Sequence, residues 1–297
     1  MSPIVAAVDF SPGSERAAAL AAALAARAGT PLHLVHADVL FRSDGGGAAP
    51  GTVPSSALRL RLERLAATLG RPDASVAVTR HTSATTALAG YTQRERAGLL
   101  VVGTHGRSGL RRLLLGSVAE ACIASAPCPV LAVPDGAAPA LAPTAPILVA
   151  VDFSGRSRAA LSAAHALAGW TGAPVELVHV IRDGGPYPPI APGVLSLSDV
   201  DPTAADSVRE RLWRFAAQGP DPAPADVHAG LGAPGRVIAA LAAERGAGAI
   251  VIGTHGRTGL AWLVGSVAAS TLRRSPCPVL TLTEAVRMPR PVHSALS

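Results

Sequence analysis

The chain alternates between short, almost wholly apolar runs and longer segments with a helical repeat. Ile4 to Val8 is continuously apolar, as expected of a strand covered on both faces. Ser11-Pro12 then supplies a helix cap with proline at the first helical position, and an Ala-rich helix runs to about Ala28, where Gly29 stops it. Leu32 to Ala37 is the second strand, and Ser56 to Leu69 a second helix. Ser75 to Arg80 alternates and predicts a third strand. Thr85 to Ala97 is a weaker helix interrupted by Gly90. Leu99 to Val102, Val118 to Ala126 and Val130 to Val133 complete the half as strand, helix and strand.

The pattern then repeats. IVAAVDFSPGSERAAAL from Ile4 returns as ILVAVDFSGRSRAAL from Ile147, and PLHLVHA from Pro31 as PVELVHV from Pro174. The stretch LLVVGTHGRSGLRRLLLGSVAEACIASAPCPVLAVP from Leu99 returns from Ile250 as IVIGTHGRTGLAWLVGSVAASTLRRSPCPVLTL. Two tandem α/β units follow: residues 1–134 and 147–284, joined by a Pro/Ala/Gly-rich linker over 135–146 and followed by a tail, 285–297. A Pro/Gly-rich insertion follows the second strand of the second half. Strands that alternate with helices imply a parallel sheet with right-handed crossovers. Each unit is expected to be a doubly wound, five-stranded parallel sheet of order 3-2-1-4-5, with helices on both faces. Ligands in such sheets bind beyond the carboxyl ends of the strands, where the strand order reverses. Asp9 and Gly103 both sit at such ends. The last strand of each half is short and apolar and lies at a sheet edge, so the halves should pack together. A homodimer through these edge strands is a further expectation.

Composition narrows the chemistry. All 26 cationic residues are Arg, which excludes a lysine-dependent phosphate loop and any catalytic lysine. A pI near 10.4 invites nucleic acid, but the arginines are scattered, net charge is only +6 and aromatics are 3%, so no nucleic-acid partner is expected. Cys122, Cys128 and Cys277 have no metal-ligand spacing and read as small buried residues in a reducing cytoplasm. No targeting signal is recognised, and the run Ala17 to Ala26 is too short to span a bilayer, so a cytoplasmic protein without a membrane partner is expected.

A glycine loop leaving a strand and feeding a helix is a recurrent phosphate cradle, because backbone N–H groups converge there and the helix dipole favours negative charge. Gly103 ends a strand, Gly106 permits close backbone approach, and nine residues later come Gly116 and Ser117. Ser117 with Glu120 has the spacing of a capping box. This G-x2-G-x9-G-[S/T] order, with IVAAVDFSPGSERA before it and PCPVLAV after it, resembles the ATP-binding signature of the universal stress protein family. The likeness covers nearly all of both halves; it implies a glycine-containing turn before the third helix, as in GAPGRVIAAL from Gly232, which HTSATTALAGY lacks, so an irregular third helix is expected in the first half.

That resemblance implies ATP or another adenine nucleotide as ligand, with Mg²⁺ as an accompanying ion of the phosphates, and a regulatory role in stress. It implies that Asp9 faces the ribose, that Ala7 lies beside the base, and that main-chain groups of Ala37 meet the adenine edge. It also implies that Gly103, Gly106, Gly116, Ser117 and the N–H of Val118 hold the phosphates. Arg107, directly after Gly106, is a further candidate to pair with a phosphate. In the second half the matching residues are Asp152, Val180, Gly253, Gly256, Arg257, Gly265 and Ser266. There, Gly256 to Gly265 encloses eight residues against nine, Arg111-Arg112 has become Ala261-Trp262 and Glu120 has become Ala269, so a weaker second site is expected.

His36 and His179 end equivalent strands and read as packed residues, while His105 and His255 lie within the glycine loops and read as loop supports or ligand contacts. No carboxylate or Cys stands at ligand spacing to them, so no metal site is expected. No base–nucleophile pair is visible, so no catalytic residue is assigned and at most slow ATP hydrolysis is expected. The competing classes are a nucleotide hydrolase using the same site and an interaction module that binds no nucleotide.

Overall fold

The computed structural model describes residues 1–39, 54–104, 115–137, 141–182, 197–254, 264–282, 286 and 288–289. The first half contains β1 (Ile4–Ala7), α1 (Pro12–Ala28), β2 (Leu32–Val39), α2 (Ser55–Thr68) and β3 (Ser75–His81). It continues with α3 (Ala84–Arg94), β4 (Leu99–Gly103), α4 (Ser117–Ser125) and β5 (Val130–Val133). The second half repeats this order as β6 (Ile147–Ala150), α5 (Gly155–Thr171), β7 (Val175–Ile181), α6 (Pro202–Ala217) and β8 (Asp226–Leu231). It closes with α7 (Pro234–Glu244), β9 (Ala249–Gly253), α8 (Ser266–Arg274) and β10 (Val279–Leu282).

The strand order is β3-β2-β1-β4-β5-β10-β9-β6-β7-β8, which contains the 3-2-1-4-5 order twice in one ten-stranded sheet. Every pairing is parallel except the central one between β5 and β10. There Leu131 pairs with its own equivalent, Leu280, and the flanking pairs, Val130 with Thr281 and Ala132 with Val279, are exchanged about it, so the two copies meet with local two-fold symmetry. This is the geometry of an isologous dimer interface, built within one chain. It corrects the expectation of a homodimer through these edges: β5 and β10 have spent their unpaired N–H and C=O groups on each other. The Thr281 hydroxyl, itself buried, adds a bond to the Val130 carbonyl at 3.0 Å.

Helices α1, α2, α5 and α6 cover one face of the sheet, and α3, α4, α7 and α8 the other. The first layer forms one apolar cluster that runs across both halves, with α1 packed on α5. Cores so poor in aromatics close through alanine: Ala17, Ala18, Ala21, Ala160 and Ala164 are all fully buried and let helix and sheet backbones approach closely.

Three local features add to the sequence reading or correct it. Among the described residues of the linker, Ala137 and Leu141 are buried, and Arg27 donates to the Leu141 carbonyl at 2.8 Å. Met288, placed in the tail, is buried in the same apolar cluster, and the Pro289 ring lies against Gly98 of the first half. Helix α3 is regular and as long as α7 despite lacking a glycine turn, because Ser83 supplies the extended residue that the helix start needs.

Candidate functional site

Strand order brings the predicted residues together. With β2 and β4 on either side of β1, the carboxyl ends of all three open on one rim, where the crossovers leave toward opposite faces. Ala7 ends β1 with Asp9 two residues on, Ala37 lies near the end of β2, Gly103 ends β4, and Gly116, Ser117 and Val118 start α4. In the second half Asp152, Val180, Gly253, Gly265 and Ser266 hold the same places. Gly106, Arg107, His105, Gly256, Arg257 and His255 lie outside the described residues, as do Arg111, Arg112, Ala261 and Trp262.

The turn after β1 is held by more than its own backbone. Asp9 Oδ1 accepts the N–H of Ser11 at 2.9 Å, closing a turn whose central residue, Phe10, has φ of 64°. A left-handed conformation costs a bulky L-residue about 1–2 kcal/mol, so it persists only where its surroundings enforce it. The Phe10 ring packs on His36 with centroids 4.9 Å apart, and the Arg61 guanidinium, from α2, lies 3.8 Å from the ring centre. An aromatic contact and an exposed cation–π contact contribute about 0.5–1 kcal/mol each, enough to offset the strain. His36 Nδ1 is 2.7 Å from the Val8 carbonyl, which can only accept, so Nδ1 carries the proton.

The second half repeats this arrangement. Phe153 has φ of 63°, its ring lies 4.6 Å from His179, Arg211 caps it at 3.9 Å, and His179 donates to the Val151 carbonyl at 2.7 Å. Burial lowers the His179 pKa, and the Arg211 charge adds to this against the Val151 bond and Asp152. The reading of His36 and His179 as packed residues holds, but the residues they pack on were missed in the sequence. The signal was present in the repeated Asp-Phe-Ser and Val-His.

Around Asp152, partial desolvation raises the carboxyl pKa, and hydrogen bonds from Ser154 and Ser157 with the Arg156 charge more than offset it, so the net shift is downward. Ser157 Oγ donates to Asp152 Oδ1, whereas its counterpart Ser14 donates to the Ser11 carbonyl.

The helix entering from the glycine loop corrects the capping-box reading. Gly116 is the N-cap, extended at φ −61° and ψ 139°, and Ser117 is already the first helical residue, so no side chain caps α4. The shift has a cause: the Gly116 N–H is bonded to the Thr104 carbonyl at 2.7 Å, which ties the loop's exit to its entrance. Among the described residues, the N–H groups of the first turn thus have neither an intrahelical acceptor nor a side-chain cap. Gly265 and Thr254 make the same closure at 2.5 Å, so the shorter second loop keeps both of its ends in place.

Gly103 answers first to packing. A Cβ there would stand 2.9 Å from the backbone carbon of Gly13 in α1, while at Gly253 it would meet the Arg156 Cβ at 3.0 Å.

Other chemistry lies away from this rim. Burial pushes the thiols of Cys122 and Cys128 up to about 12 and that of Cys277 to about 11, so all three stay protonated and unreactive at neutral pH. Among the described residues no group of three or more His, Cys, Asp or Glu could hold a metal ion, and no helix is long and apolar enough to cross a membrane. At the amino end of β7, the buried Glu176 accepts two bonds from Arg245, at 2.9 and 3.2 Å, and one from His228 at 2.8 Å. Reading PVELVHV as a buried strand gave no warning of this ion pair.

Comparison with known proteins places this architecture. The model of the universal stress protein family matches residues 1–134 and again 144–282. The Mycobacterium tuberculosis universal stress protein Rv2005c is 34% identical over 186 residues, covering 62% of this chain and 61% of that protein. A Mycolicibacterium smegmatis universal stress protein is 30% identical over 187 residues, covering 63% of this chain and 62% of that protein. The matches thus span about three fifths of the length of these relatives. In fold, the crystal structure of a universal stress protein from Archaeoglobus fulgidus DSM 4304 has a TM-score of 0.65 at 21% identity, covering 95% of this chain and 96% of that one. Two family matches in tandem, on two copies of one strand order, have one meaning: the chain belongs to the universal stress protein family.

Proposed function

We propose that the chain is an adenine-nucleotide-binding regulatory protein of the stress response, acting in the cytoplasm, with its principal site at the first-half rim. The observation that carries this reading is the start of α4, which no side chain among the described residues caps, at the rim shared by the ends of β1, β2 and β4. A helix of this length that leaves its first N–H groups without a cap offers them to an anion. A nucleotide needs such a cradle for phosphate, together with an acceptor for ribose and main-chain groups for the base.

In this reading Asp9 accepts from the ribose hydroxyls, Ala7 lies beside the base, and main-chain groups of Ala37 meet the adenine edge. Gly103, Gly106, Gly116, Ser117 and Val118 line the phosphates, Arg107 pairs with one of them, and Mg²⁺ accompanies a triphosphate. Asp152, Val180, Gly253, Gly256, Arg257, Gly265 and Ser266 form the second, weaker site. The ligand acts by binding one conformation or association state better than another, which shifts the population toward it.

The test is calorimetric titration of the full chain with ATP, beside mass spectrometry of any nucleotide that co-purifies. Asp9→Ala is expected to weaken ATP by about tenfold or more, and Asp152→Ala by less. Loss of all affinity in the Asp152 variant alone would reverse the ranking of the sites. A wild-type chain that neither carries nor binds nucleotide would leave an interaction module as the better description.

A further inference from the structure

We infer that Arg61, Phe10 and His36 are positioning residues for the Asp9 carboxylate, so that the preference for an intact ribose depends on a cation lying two contacts away from the ligand. This deepens the proposed function and rests on Asp9 reading the ribose.

Asp9 is held from both sides in sequence. Before it, the Val8 carbonyl is fixed by the His36 ring at 2.7 Å. After it, Phe10 is the middle residue of the turn that Asp9 Oδ1 closes on the Ser11 N–H. The same His36 ring that holds Val8 also packs against the Phe10 ring, so one imidazole braces both neighbours of the aspartate. Phe10 pays for its left-handed backbone only while its ring is pinned, between His36 on one side and the Arg61 guanidinium, 3.8 Å from its centre. If Phe10 relaxes to negative φ, the Ser11 N–H swings away and the carboxylate loses the bond that aims it.

The second half provides an independent copy. His179, Phe153 and Arg211 reproduce the bond at 2.7 Å, the ring spacing at 4.6 Å and the cation at 3.9 Å around Asp152. Two copies that have diverged at Glu15/Arg158 and Leu65/Phe215 have kept all three members of the brace. Arg61 is exposed, and removing it opens no cavity in the core.

The experiment compares ATP with 2′,3′-dideoxyadenosine triphosphate by calorimetry on the full chain carrying Asp152→Ala, which weakens the second rim further so that the tighter, first-rim isotherm is read. With Arg61 intact, ATP is expected to bind more tightly than the dideoxy analogue. Arg61→Ala should lose about fivefold in ATP affinity and leave the analogue unchanged, which abolishes the preference. Arg61→Lys, which keeps a cation over the ring, should restore it. Phe10→Ala, which removes the ring but keeps the strain, should also lose the preference, whereas Phe10→Gly, which accepts positive φ without strain, should keep it.

An Arg61→Ala chain that retains the preference, or that loses both nucleotides equally, overturns the positioning role while leaving nucleotide binding intact. If the parent chain binds both nucleotides equally, Asp9 does not read the ribose and the inference falls. If it binds neither, the proposed function falls with it.

Discussion

At the carboxyl ends of β1 and β6, Phe10 and Phe153 share a backbone conformation to within a degree of φ, each braced by a histidine and an arginine. At the opposite ends of the neighbouring strands, His33 and Glu176 occupy the same register with unlike chemistry. His33 meets the Tyr91 hydroxyl at 3.0 Å, and Glu176 sits in an ion pair with Arg245 and His228. One chain therefore holds two solutions to the same fold. They agree around the turn and the loop closure, at the rim of the proposed site. Where they differ, packing alone decides, and several sets of side chains satisfy it.

The largest expected effect tests the joint on which the comparison depends. Leu131 and Leu280 face each other at the centre of the β5–β10 pair, both essentially unexposed. Truncating either to alanine should cost about 2–5 kcal/mol in denaturant unfolding, and the two losses should be similar because the sites are related by the local symmetry. A large loss in one and a small loss in the other would show that the halves do not share the joint equally.

Next in size is the chemistry at the amino ends. Glu176→Gln leaves Arg245 with only its longer pair to Asp226, at 3.8 Å, and should cost about 1–3 kcal/mol near neutral pH. The sign of the pH dependence follows from the shifts. Burial raises the Glu176 pKa, but the bonds from Arg245 and His228 outweigh it and the net value falls below 4.5. A depressed carboxylate adds stability that is complete above its unfolded pKa and is lost as pH falls through the folded value. Glu176→Gln should therefore flatten the acid limb of the stability curve below about pH 4.5. Burial also depresses His33, against a smaller opposing effect of Glu95, so its contribution is complete above 6.5 and lost as pH falls below that. His33→Gln should remove its part of the slope just under pH 6.5 and leave the lower limb intact, which separates the two halves by pH window alone.

Close approach of helices comes third. A Cβ on Gly235 of α7 would stand 2.5 Å from the Cβ of Ser270 in α8. The equivalent place in α3 is taken by Thr85, so the first half has already opened the gap that the second keeps closed. Gly235→Ala should cost about 1–3 kcal/mol through overpacking, whereas Thr85→Ala should change stability by less. Equal effects would mean that the two helix pairs pack alike.

How far the sequence could lead depended on whether a feature was local. The strands, their order and the placement of Asp9 and Gly103 on one rim were legible because apolar runs, caps and a duplicated motif carry them. The antiparallel β5–β10 joint was not, since an edge strand's periodicity says that it needs a partner and nothing about which one. Ser117 matched a cap by residue type, yet the bond from Gly116 to Thr104 moved the helix start by one residue, and a tertiary bond of that kind leaves no mark on spacing. Phe10 in the left-handed region was hidden for the same reason, because its strain is balanced by His36 and Arg61, far away in the chain.

The smallest effect distinguishes the brace from its surroundings. In the second half the stack continues beyond Phe153: Phe215 meets it edge-on at 5.7 Å, and Arg158 lies 3.8 Å above Phe215. The first half has Leu65 and Glu15 in these places and holds its turn in the same geometry, so the extension is not needed for the turn. Phe215→Leu should then cost only about 0.5–1.5 kcal/mol, the worth of an aromatic pair, since leucine fills most of the space. Arg158 would keep its bonds to the residue 215 carbonyl and to Gln218, which do not depend on the ring. Thermal unfolding checks the stability, and ATP titration of an Asp9→Ala chain, with and without Asp152→Ala to identify the second-rim contribution, checks the site. A modest loss of stability with unchanged binding separates Phe215 from Phe153. A loss of binding as large as that of Asp152→Ala would instead make the whole stack part of the second site and widen the difference between the halves.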